Sequence, residues 1–279
     1  MSKFLTNAAV IEFDSEVKHE YQGMGRLRNT VTLRTNVTGE SYKFARTGQG
    51  LANQKATQAD VTPMDVTYGR QTATMENWLA PEYTDIFDQA EVNFDEKQEL
   101  AKTIAKALAR REDQIIIDAV QGATYSLTPA TADAGLLLAT AAAGLTVAQL
   151  RAASTGLTDR GVENEDRFVM CTAGALSSLL SEESITSSDY NSVKTLVNGE
   201  IDTFMGFKFN IIESRVEGGL TALTNFAYHK SSVGYAVGID MKTTIDWVAQ
   251  KTSWLCNGML KSGAVVREAA GIVKMPTTS

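Results

Sequence analysis

The sequence predicts an α+β fold, and three observations carry that prediction. Residues 93–121 repeat apolar side chains at helical spacing over a long, uninterrupted stretch. Segments such as 31–37 and 207–211 alternate apolar and polar side chains at the period of a half-buried strand. No internal repeat or low-complexity tract orders these elements into an array.

Taken in order, residues 1–29 are mixed and polar without a period, and read as an arm held by its surroundings. Residues 30–75 read as a long β-hairpin. "VTLRTNV" sets Val31, Leu33, Thr35 and Val37 against Thr32, Arg34 and Asn36; "SYKFART" follows, and "VTPMDVTYGRQTATM" returns. Few large apolar residues lie between Thr47 and Asp60, so this tip cannot build its own core. It must either move freely or lie on something else. Asn93 and Glu96 have the spacing of a capping box, after which Leu100, Ile104, Leu108, Arg111 and Ile115 step along one helix face. Ala101, Ala105, Ala107 and Ala109 favour helix and close packing. A helix of this length spans about 37 Å, enough to be the spine of the molecule.

"TPATADAGLLLATAAAG" reads as a small-residue loop, and Thr146 caps a helix through Leu157. "RFVMC" is a buried strand, Thr172 caps the helix "AGALSSLLSEE", and an acidic, Ser-rich loop leads to the hairpin "NGEIDTFMGFKFNIIES". There Phe207, Phe209 and Ile211 alternate after Gly206, giving a strand with one buried face. From Phe226 strand-like pieces continue to the terminal "TSWLCNGMLKSGAVVREAAGIVKM".

Composition removes several function classes. The 279 residues carry 26 Lys and Arg against 33 Asp and Glu, a net charge of −7. That balance argues against broad nucleic-acid binding, which needs clustered positive charge. Two cysteines are too few for a disulfide scaffold and fit a reducing compartment. No apolar run reaches the roughly 18 residues of a membrane helix, so the expectation is a cytosolic product with no membrane partner.

Candidate chemistry is sparse. His19, His229, Cys171 and Cys256 have no short ligand-like spacing, so no metal site is implied. "GQGLAN" has Asn53 where a dinucleotide fingerprint needs its third glycine, and "LKSG" has Leu260 where a phosphate loop needs glycine. No G-x-S-x-G elbow exists. The residues give no enzyme and no cofactor.

What the residues do resemble is a shell. "ALARREDQIIIDAV", "DRFVMCTAGALSSLL", "GEIDTFMGFKFNIIESR", "YHKSSVGYAVGIDM" and "GAVVREAAGIVKM" follow one another in an order similar to major capsid proteins of tailed bacteriophages. Those proteins have the Hong Kong 97-type capsid fold, and the short-tailed phages are the most similar. The resemblance covers nearly the whole chain past about residue 30. It implies an N-terminal arm at 1–29, an extended loop at 30–75, a peripheral domain with the spine helix at 76–128 and an axial domain at 129–224. C-terminal strands of the peripheral domain would fill 225–279. It also implies the partners: copies of the chain itself in hexamers and pentamers, a separate scaffolding protein, a portal protein, and packaged double-stranded DNA. The virion is then the location, with assembly in the host cytoplasm. An encapsulin-type compartment shares the fold. A hydrolase built on His229 and a nearby serine is the alternative from another class.

Charge adds an interface expectation. Residues 26–70 hold seven basic residues (Arg26, Arg28, Arg34, Lys43, Arg46, Lys55, Arg70) against three acids, a net +4. Residues 76–100 hold eight acids, Glu82, Asp85 and Asp88 among them, against Lys97, a net −7. The functional reading lays the basic hairpin of one subunit across the acidic approach to a neighbour's spine helix. The plain reading is two solvated faces.

Overall fold

The computed structural model describes residues 25–87, 96–128, 134–141, 144–181, 203–213, 219–220 and 223–278. Asn93 of the expected capping box, most of the Ser-rich loop and the "NGEI" of the later hairpin lie outside them. In chain order the elements are β1 (Thr32–Arg34), β2 (Ser41–Thr47), β3 (Tyr68–Thr74), β4 (Glu76–Asp85), α1 (Glu96–Gln121), β5 (Tyr125–Ser126) and β6 (Gly135–Leu137). Then come α2 (Val147–Asp159), β7 (Arg167–Thr172), α3 (Ala173–Leu180), β8 (Thr203–Phe204), β9 (Phe207–Ile212) and β10 (Thr224–His229). β11 (Val233–Val248), β12 (Ser253–Val266) and β13 (Ile272–Pro276) complete the chain.

These strands form a seven-stranded sheet (β5-β6-β13-β10-β7-β9-β8), a four-stranded sheet (β1-β11-β12-β4) and the separate hairpin β2-β3. The larger sheet is covered on both faces, which explains why "RFVMC" is apolar without alternation. Phe168, Met170, Phe226, Tyr228 and Ile272 pack with Ile116, Ile117 and Val120 of α1. Val169, Cys171, Ala227 and Val273 face the other way, onto Leu150, Ala153 and Leu157 of α2 and Leu179 of α3. Both short helices start on the threonines that the sequence nominates. Thr146 accepts from the amide of Gln149, and Thr172 from that of Ala175.

α1 is the element that joins the sheets. Its N-terminal half sets Ile104 and Leu108 on Cys256 and Leu260 of the four-stranded sheet, while its C-terminal half enters the core of the larger one. Contact with the smaller sheet is close because Gly258 has no side chain; a Cβ there would strike Ile104 and Leu108. Two cations clamp the same face: the Arg111 guanidinium lies 3.9 Å from the Trp78 ring centre, and the Lys97 ammonium 4.0 Å from that of Trp254.

A strap at residues 26–34 crosses from one sheet to the other. The buried Asp113 carboxylate accepts the amides of Arg26 (2.8 Å) and Leu27 (3.0 Å), pinning the chain just ahead of a short 3-10 turn at Arg28–Thr30. Arg28 donates two bonds to Asp240 (2.7 and 2.6 Å) and lies 3.3 Å from Glu112. Arg26 also donates to the Ile211 carbonyl on β9 (2.7 Å), and Thr30 meets Tyr228 on β10. Burial pushes Glu112 above the ordinary glutamate range, and the neighbouring Arg28 charge only partly opposes this. Burial likewise raises Asp113, against its two backbone bonds, whereas the Arg28 hydrogen bonds hold Asp240 below the usual range.

Several elements differ from the sequence expectation. β1 does not belong to the 30–75 hairpin; it pairs parallel with Gly234–Ala236 of β11, and the hairpin proper starts at Ser41. The expected grouping of all C-terminal strands with the spine helix also differs. β10 and β13 pair with each other and with β7 and β6 in the larger sheet, because the chain crosses between sheets at Lys230–Ser232 and again at 267–271. Ile212 rather than Ile211 is buried on β9, since Phe207 and Ile212 serve opposite faces of a doubly covered sheet. Along α1 the buried stripe broadens past Leu108 to include Glu112, Asp113, Ile116 and Ile117, as the helix passes from one sheet to the next.

Two tests follow from the packing of α1. Leu108→Asp would bury an unpartnered charge, a cost of order several kcal/mol, and should give insoluble protein; a sedimentation assay of the expressed chain checks it. Glu112→Gln removes a carboxyl whose folded-state proton affinity is raised. Such a group stabilises the fold at low pH and loses that contribution as pH rises through its raised value. Asp240 has the opposite sign, but its contribution is lost only below the ordinary aspartate range. Melting curves between about pH 5 and pH 8 should therefore show Glu112→Gln gaining on the wild type as pH rises. A variant that melts lower by the same margin throughout would mean the Arg28–Glu112 ion pair outweighs the cost of burying Glu112.

Candidate subunit-contact surfaces

Among the described residues, hairpin β2-β3 packs on the small sheet through its base. Phe44, Ala73 and Met75 pack on Ala236, with Tyr42 edge-on to Phe44 at 4.8 Å between ring centres. Gly263 permits the crossing of β12 under the hairpin, since a Cβ there would run into the Thr74 carbonyl. Beyond the Gly48 amide's bond to the Thr67 carbonyl (2.7 Å), the chain from 49 to 65 is exposed throughout. Leu51 and Tyr68 are each 82% exposed, and Val61 and Met64 are also outside any core. The lack of tip core read from the sequence is thus present in the fold.

The interface candidates divide between elements. Lys43 and Arg70 are exposed on the hairpin strands, Arg46 is half-buried, Lys55 is exposed in the tip, and Arg34 is exposed at the end of β1. Glu82 is exposed on β4 and Asp85 half-buried at its end, where its carboxylate accepts the Phe87 amide (3.0 Å). Asp88 lies outside the described residues. Among the described residues, neither Glu82 nor Asp85 forms an ion pair with Lys43, Lys55 or Arg70 within the chain. The exposed apolar residues Leu79, Tyr83, Ile86 and Phe87 on and after β4, which charge counting missed, share this end of the small sheet. Tyr83 carries the Lys251 ammonium 3.8 Å from its ring centre.

The hydrolase alternative rests on His229 and Ser231, whose Nδ1 and Oγ are 2.7 Å apart beside a cleft of about 410 Å³. That geometry is a cap: Nδ1 also accepts the Ser231 amide (3.2 Å) at the start of the 3-10 turn. The Lys208–Asp166 pair (3.3 Å) lies on the surface nearby. No group of three metal-ligating side chains occurs among the described residues. "GQGLAN" is exposed coil and "LKSG" is strand, so neither forms a phosphate cradle. Cys171 and Cys256 are buried and form no disulfide, and burial pushes the Cys171 thiol up to about 12.

A family model described as phage capsid protein matches residues 5–278. With all but the ends matched, the chain belongs to the phage capsid protein family. The fold agrees. The capsid structure of cyanophage P-SCSP1u superposes with a TM-score of 0.75 at 14% identity, covering 100% of this chain and 96% of that one. Mycobacterium phage Che8 gives 0.72 at 18% identity, covering 96% and 97%. The capsid of a native GTA particle gives 0.71 at 18%, covering 100% and 99%. No curated protein matches. The protein is a major capsid protein with the Hong Kong 97-type fold; it associates with itself to form the shell and is a component of the virion. It is a structural protein, not an enzyme, and the His229–Ser231 hydrolase reading is set aside.

Proposed function

We propose that the chain builds hexamers and pentamers whose shell encloses double-stranded DNA, assembling in the host cytoplasm with a separate scaffolding protein and a portal protein. The observation that carries this reading is the hairpin: residues 49–65 are exposed throughout, and no core among the described residues covers them. Net charge of −7 suits a container that must hold DNA without binding it tightly. The seven-stranded sheet, β10 and β13 included, corresponds to the axial unit. The four-stranded sheet with the first half of α1 corresponds to the peripheral unit, and residues 41–75 to the extended loop.

At the contact, Lys43, Arg46, Lys55 and Arg70 of one copy lie against Glu82, Asp85 and Asp88 of the next, with Arg34 at the root of the reach. Each exposed pair contributes only about 0–1 kcal/mol, but a closed symmetric shell repeats it at every equivalent interface. Electron microscopy of the chain co-expressed with a scaffolding protein should show closed shells; a homogeneous monomer would contradict this. Arg46→Glu with Lys55→Glu should leave a folded subunit that assembles poorly. Reversing Glu82 and Asp85 to Lys in that background should restore part of the yield. Salt near 1 M, where the Debye length is about 3 Å, should weaken wild-type assembly in the same way. Unchanged shell yield in the double variant would remove the electrostatic contact.

A further inference from the structure

We propose that residues 241–247 of β11 pair antiparallel with the same residues of a second copy, about a two-fold axis at Thr244, joining two four-stranded sheets edge to edge. The proposal rests on the shell reading and specifies one of its interfaces.

β11 is hydrogen-bonded to β12 along one flank from Val233 to Val248, with register shifts between Val237 and Ile239 and between Ile239 and Lys242, and in unbroken register from Lys242 to Val248. Its other flank takes β1 only at Gly234–Ala236, followed by the Val37 amide on the Val237 carbonyl (3.0 Å). From Ile239 onward no strand pairs with that flank among the described residues. Ile239, Met241, Ile245 and Trp247 are exposed there. A long, apolar, unpaired edge is a template for another strand. The opposite edge of the same sheet is blunted: β4 carries Pro81 at mid-strand and charges of one sign, Glu76, Glu82 and Asp85. Between 239 and 248 β11 contains neither proline nor glycine.

The charges on β11 select the partner. Lys242 and Asp246 stand opposite Met259 and Leu255 of β12, on the sheet face away from Cys256 and α1, with Thr244 between them. A two-fold axis normal to the sheet keeps each face on its own side, so only registers that oppose a residue to itself are allowed. Centring on Thr244 sets Lys242 opposite Asp246 of the other copy, twice. Centring on Thr243 sets Asp246 against Asp240, and centring on Lys242 or Asp246 opposes like charges directly, which is unfavourable. Centring on Ile245 leaves both charges without an opposite. In the Thr244 register the other face brings Ile245 to Thr243. The edge is complementary to itself.

Thr244→Cys tests the axis. Directly opposed residues in an antiparallel pair have Cα atoms about 4.5–5.5 Å apart, within disulfide range of about 4.4–6.8 Å. The native cysteines are buried, so the background is low. Mild oxidation of Thr244→Cys shells should give reducible dimers. Thr243→Cys, displaced two residues from its own mate, should give about tenfold less. On wild-type shells, a zero-length amine–carboxyl reagent should join Lys242 of one copy to Asp246 of another. Asp246→Lys should lower shell yield about tenfold at low salt, and adding Lys242→Asp should restore it to within about twofold. Wild-type shells that form normally but show neither cross-link overturn the inference and leave the shell reading standing. So do links from Lys242 or Asp246 to the 41–75 hairpin or to residues 1–24. Failure of the wild type to form any shell would instead remove the shell reading itself.

Discussion

A polypeptide segment without a core of its own is the constraint on which the rest of this structure depends. Residues 49–65 expose backbone and apolar side chains alike, and ordering such a segment costs about 1–2 kcal/mol per residue in backbone entropy alone. Nothing within the described chain offsets that cost. The rest of the molecule is organised to hold the segment out: Gly263 lets β12 pass under it, Phe44 and Met75 root it, and the small sheet beneath is stiffened by α1. On the function proposed above, copies of the same chain supply the missing cover, and the chain belongs to the phage capsid protein family.

Rigidity at the base comes from joining two sheets through one helix and one strap. α1 contributes apolar contacts to both, and Asp113 and Arg28 tie the strap to the helix and to β11 with charge-assisted bonds. Burial of Glu112 and Asp113 runs against their charge, so the strap is held at some electrostatic cost. Buried Arg167 ties β7 to α2 and to the loop after it, donating to the Thr158 hydroxyl on the helix (3.2 Å) and to the Val162 and Glu163 carbonyls beyond it (2.6 and 2.8 Å).

Much of this was legible in the sequence because local chemistry specified it. The threonine caps at 146 and 172, the apolar run "RFVMC" and the first half of the α1 stripe each follow from spacing alone. Sheet membership did not, because it is set by contacts distant in sequence. Nothing local in "VTLRT" says that it pairs with Gly234–Ala236 instead of with "SYKFART", or that "GIVKM" crosses to the larger sheet. The buried acids on α1 were hidden because Glu112 and Asp113 look like the solvated face of a helix until the strap lies over them. For the proposed contact surfaces, charge counting nominated the hairpin bases and the β4 acids. It passed over the open edge of β11, whose charges nearly cancel and whose apolar residues read as core.

The most direct measurement is hydrogen exchange at single-amide resolution in free subunits and in assembled shells. In subunits, amides from 49 to 65 should exchange with little protection, while those of Phe168–Cys171 and Phe226–Tyr228 exchange slowly. On assembly the hairpin amides should slow by at least about tenfold, with the central strands unchanged. Hairpin amides equally protected in both states would contradict the claim that this fold is finished by its neighbours.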